Sequence, residues 1–125
     1  MQLPDLRNNN QLKSQLSSVE VVLQTAQQIM KDFMLFGLEI TFSGDTDNAY
    51  EELHKQLVNQ VEGLIDRDYN RLVSVLYQVD ISAKDIEKSE QQLLDYNHVE
   101  VIAHEIIIRD LKKVLIRNYY KNNPI

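Results

Sequence analysis

Residues 99–120 read VEVIAHEIIIRDLKKVLIRNYY, and no other stretch restricts the fold as strongly. On a helical wheel of about 100° per residue, Ala103, Ile107, Leu111, Val114 and Leu115 make one broad apolar face. Val101, Ile102 and Ile116 fall on the other side, among Glu105, Arg109, Lys112 and Lys113. A helix that is apolar on two sides needs neighbours on two sides. It is therefore either the centre of a bundle or half of a subunit interface, and the thinness of the preceding helix favours the interface. Val101, Ile102, Ile116 and Tyr120 are its candidate interface residues.

The rest of the chain supplies further helices. Leu16, Val19, Leu23, Ala26, Met30 and Phe33 recur at steps of three and four, which predicts an amphipathic helix from Gln11 to about Phe36, stopped by Gly37. Residues 1–10, with Pro4 and an Asn8-Asn9-Asn10 run, read as a flexible terminus before a single domain over 11–121. Leu38, Ile40 and Phe42 alternate like a strand, but no second strand is visible to pair with it. The segment is expected to be an extended connector pinned by those three side chains.

Helix starts carry reciprocal capping pairs at Asn48/Glu51, Ser82/Asp85 and Asn97/Glu100. Asp68 is a further candidate cap, which would break the rod from Ala49 to Gln78 into two helices. In the helix after Ser82 only Ile86, Leu93 and Leu94 point inward, so it is the least stably packed element. Tyr77 is expected to tie down the Asp80 turn through its hydroxyl. The expected fold is all-α, an antiparallel four- to five-helix bundle with an extended connector after the first helix.

Composition limits the function. The chain has 125 residues, no cysteine and a formal net charge of −6. Disulfides and thiol chemistry are excluded, and an acidic surface opposes phosphate binding, so nucleic acid is not an expected partner. No run approaches the roughly 20 apolar residues of a membrane span, and the N-terminus has no signal-peptide pattern. Membrane is thus not an expected partner and the cytoplasm is the expected compartment. Acids cluster over 45–68 and cations over 109–121, which suggests that these two segments lie near each other.

Residues 67–82 (RDYNRLVSVLYQVDIS), followed by 100–114 (EVIAHEIIIRDLKKV), resemble a small bacterial protein family of uncharacterised function. Its members share an Asp-Tyr pair, a Leu-Tyr-x-x-Asp corner and a similar last helix. The resemblance lies mainly within residues 66–114; it implies a short all-helical chain and brings no biochemical motif with it.

Chemistry-bearing constellations are few. His54 and His104 lie on inward faces, each one turn after a carboxylate, Glu51 and Glu100. Inward carboxylates and imidazoles are how bundle metal sites are built, so these four form the candidate metal set. Only the Glu51/His54 pair has the Glu-x-x-His spacing, and an inward histidine is more often a hydrogen-bonded core residue. No cofactor is expected, and with neither cysteine nor a Gly-x-Ser-x-Gly elbow no enzyme activity is expected. Arg67 and Arg71, one turn apart, could clamp a carboxylate or phosphate or simply pair with neighbouring acids. The leading expectation is a non-catalytic helical protein–protein interaction or regulatory module acting as a homodimer, with a further protein partner unidentified. The alternatives are a metal-binding bundle and a small acidic inhibitor or immunity-type protein.

Overall fold

The computed structural model describes residues 18–122, which form five α-helices and one short 3₁₀ turn, with no strand among them. They are α1 (Val19–Met34), the turn Thr46–Asn48, α2 (Ala49–Arg67), α3 (Tyr69–Val79), α4 (Ala83–Gln92) and α5 (His98–Asn122). The expected flexible terminus and the helix start at Gln11 lie outside the described residues.

The helix ends show why the chain divides where it does. Ser18 caps α1 by accepting the Val21 N–H, and Gly37 closes its far end at φ 72°. That left-handed turn lets the Leu38 N–H reach the Phe33 carbonyl at 3.1 Å, so the helix ends two residues before the expected Phe36. Asp68 accepts the Arg71 N–H at 3.2 Å and separates α2 from α3. The pairs Ser82/Asp85 and Asn97/Glu100 form both of their reciprocal bonds. Asn48 does not cap α2. Its side-chain amide is held by Asp45, which heads the 3₁₀ turn in its place.

The connector is extended, with Leu38 and Ile40 buried and Phe42 packed against the core. Its backbone groups find partners on one edge of α2. Gln56 accepts from the Thr41 N–H at 2.9 Å and donates to the Thr41 carbonyl at 2.7 Å. Four residues to either side, Glu52 accepts from Ser43 and Gln60 donates to the Glu39 carbonyl. Three side chains at helical spacing thus do the work of a missing strand.

Helix α5 is the centre of the molecule. Residues 101–108 are all buried, and α1, α2, α3 and α4 all pack on it. Over residues 101–114 its two apolar sides are covered within the chain: α1 lies on the Leu111/Val114 side and α2 on the His104 side, while α3 and α4 cover Ile102. This corrects the expectation for Val101 and Ile102, which are 0% and 3% exposed and are buried within their own chain. The thin stripe of α4 is supplemented by a polar contact, the buried Ser89 hydroxyl donating to the buried Glu105 carboxylate. Leu94 falls beyond the end of α4 and is 84% exposed, not inward. Nor does Tyr77 hold the Asp80 turn. It points to solvent, 87% exposed, and backbone bonds from Asp80 and Ile81 close the turn with Asp80 at φ 70°.

Candidate functional site

The densest polar cluster joins α2, the α4–α5 loop and α5. The Tyr50 hydroxyl lies 2.9 Å from the Tyr96 hydroxyl and 2.5 Å from His104 Nδ1, so the three side chains form one hydrogen-bonded row. Either direction of donation along it satisfies all three atoms. The His54 ring is stacked between Tyr50 and Tyr96, with centroids 5.2 and 5.1 Å away. His54 Nε2 donates to the Glu100 carbonyl at 2.9 Å. Burial, and then the nearby His54, lower the His104 imidazole to about 4, so at neutral pH it is uncharged. Burial first, and then the hydrogen bond with Tyr96, push the Tyr50 phenol above its ordinary range, so it keeps its proton. The row opens onto a shallow recess of about 430 Å³ walled by Glu51, Lys55, Asn59 and Glu100.

Glu51, His54 and Glu100 border the same recess, but the four candidate metal ligands are not gathered on one point. His54 and His104 do share a cluster, but each presents a ring nitrogen to a protein partner. The Glu100 carboxylate turns back to the Asn97 N–H as a helix cap at 2.9 Å. Glu51 is exposed on the first turn of α2. Among the described residues no group of three or more His, Cys, Asp or Glu side chains is gathered as metal ligands would be. The row is not legible in the sequence because Tyr96 lies in a loop, where no periodicity points to its partners.

Arg67 and Arg71 line one recess of about 320 Å³ with Leu38 and Gln60. Arg71 pairs with its own cap residue, Asp68, at 3.0 Å, and the Arg67 guanidinium folds over Gly63. Both contacts are local, as expected of a helix surface. The acidic α2 packs on α5, but among the described residues it makes no ion pair with the basic end of that helix. The ion pairs of α5 run instead from Lys113 to Asp32 on α1 and from Arg109 to Asp85 on α4.

A second buried cluster was not legible in the sequence. Asp32 of α1 and Asp110 of α5 are both buried, and Lys113 Nζ lies 3.6 and 3.5 Å from their carboxyls. Gln28 donates to Asp32 at 2.9 Å, yet Asp32 Oδ2 and both Asp110 oxygens have no hydrogen-bond partner. Burial first, and then the neighbouring Asp32, push the Asp110 carboxyl up to about 8.

An apolar opening lies between α3 and α4. It encloses about 450 Å³ and is floored by Ile65, Leu72, Ile86 and Ile102, with Val73 and Tyr77 at its mouth. Its volume is within the roughly 300–1,000 Å³ of ordinary ligand pockets. No family model, curated protein or solved structure matches the chain.

Proposed function

We propose that the chain is a non-catalytic helical interaction module that acts as a homodimer, built as an antiparallel bundle of the bacterial type that residues 66–114 resemble. The observation that carries the reading is the apolar opening between α3 and α4, whose mouth leaves Tyr69, Val73 and Tyr77 turned to solvent. Single exposed apolar residues are ordinary, but a contiguous set around an apolar floor is what interaction surfaces present. The antiparallel arrangement is supported by the order of contacts along α5. Asp85 meets Arg109 while Ser89 meets Glu105, and Tyr50 meets His104 while His54 meets Glu100. The interface expected of α5 keeps two of its four residues, Ile116 and Tyr120, which are 38% and 56% exposed.

The reading is tested by sedimentation velocity of the full chain at tens of micromolar. A dimer is expected. A single species of monomer mass at every concentration would contradict it.

A further inference from the structure

We propose that the apolar opening between α3 and α4 is filled by the Ile116–Tyr120 end of α5 from a second copy of the chain, and that the pairing is reciprocal. This rests on the homodimer reading and names the surfaces that meet.

Helix α4 is ten residues long and α5 is twenty-five, about 15 Å against 37 Å. The contacts of Ser89 with Glu105 and Asp85 with Arg109 place α4 over the N-terminal half of α5. Beyond Arg109 that side of α5 has no α4 above it, and Ile116 and Tyr120 stay exposed there. These two residues lie eighteen positions on from His98 and Ile102, which line the opening. Eighteen residues are five full helical turns, so both sets share one face, about 27 Å apart.

The face is therefore a ridge at one end, made by α4 and the mouth of the opening, and a recess at the other, floored by Ile116 and Tyr120. A two-fold axis near Arg109, lying in the plane of this face and across α5, sets the ridge of each copy in the recess of the other. Such a contact closes on itself and leaves no free surface to propagate a filament.

Charge points the same way. The charged residues lining the opening are Glu87 and Glu90, with His98 against Glu90. The exposed end of α5 carries Lys112, Arg117 and Lys121, of which Arg117 also donates to Gln28 of α1, while Lys113 is taken up by Asp32 and Asp110. An acidic rim facing a basic one favours ridge on recess and disfavours ridge on ridge or recess on recess.

The chain has no cysteine, so introduced thiols report the pairing directly. Tyr77→Cys and Tyr120→Cys, both at exposed positions, are made singly and mixed in equal amounts under mild oxidation. The expected result is a covalent dimer that joins the two different variants and forms far faster than either variant joins itself. Wild type is run in parallel by sedimentation. A wild-type dimer whose variants crosslink only to themselves, or not at all, overturns this pairing while the homodimer reading stands. A monomeric wild type overturns the homodimer reading itself, and with it this pairing.

Discussion

Asp110 is a carboxyl held in a place that suits only its neutral form. It lies beside a second buried carboxyl, Asp32, with Lys113 as the nearest cation and no hydrogen-bond partner of its own. Folded Asp110 keeps its proton up to about pH 8, whereas in the unfolded chain it loses it near 3.8. The folded state binds the extra proton between those values, so this group's contribution to stability falls as pH rises through them. His104 acts in the opposite sense. Its folded value near 4 lies below the ordinary 6.5, so its contribution is complete above 6.5 and is lost as pH falls towards 4. The two slopes offset below 6.5, and above it Asp110 acts alone. Urea unfolding should therefore show a loss of roughly 2 kcal/mol between pH 6.5 and 8, at about 1.4 kcal/mol per unit. Asp110→Asn should remove that slope and be the more stable protein at pH 8; an unchanged slope in the variant would count against the account. Tyr50→Phe makes a companion test. It strips a partner from both His104 Nδ1 and the Tyr96 hydroxyl, and should cost about 1–3 kcal/mol by the same unfolding measurement. Of these clusters only the inward His54 and His104 could be seen in advance, because the Tyr50–Tyr96 and Asp32–Asp110 pairs join residues 46 and 78 positions apart whose types are ordinary for a helix surface or loop.

At the scale of elements, what could be read from sequence was whatever is settled within a turn or two. The alternation of apolar residues located each helix, and local chemistry located three caps, at Asp68, Ser82 and Asn97. Asn48 misled because Asp45, three residues earlier, competes for the same role and already bonds the Asn48 amide. Coverage of α5 was misjudged for a different reason. Counting apolar residues on α4 missed both the Ser89–Glu105 bond, which buries a carboxylate under a hydroxyl, and the share of Ile102 that α3 covers. The connector shows the limit most clearly. Leu38, Ile40 and Phe42 announced that it is pinned, but the glutamines that satisfy its backbone read only as the polar face of α2. Gln56→Ala should leave both Thr41 backbone groups to water and lower stability by about 1–2 kcal/mol. Amide exchange should quicken at Thr41 ahead of the helices. If Thr41 exchanges no faster in the variant, the connector is held by its apolar side chains alone.

For the whole molecule, the central α5 turns an excess of apolar surface into a shape. Over residues 101–108 that surface is consumed by the chain's own core, and only past the reach of α4 does it emerge, as Ile116 and Tyr120. The same short α4 stands beside α3 and leaves the apolar opening between them. A missing length of helix thus produces both the recess and the ridge that could fill it in a second copy. Association through these faces is expected to weaken at high salt, since the two rims carry opposite charge. The most direct test is sedimentation equilibrium of the full chain beside Ile116→Asp, an exposed position where a charge leaves the core untouched. The account predicts a wild-type dimer and a folded, monomeric variant with an unchanged far-UV circular dichroism spectrum. A wild type that remains monomeric at every concentration, or a variant that dimerises as tightly as wild type, would contradict it.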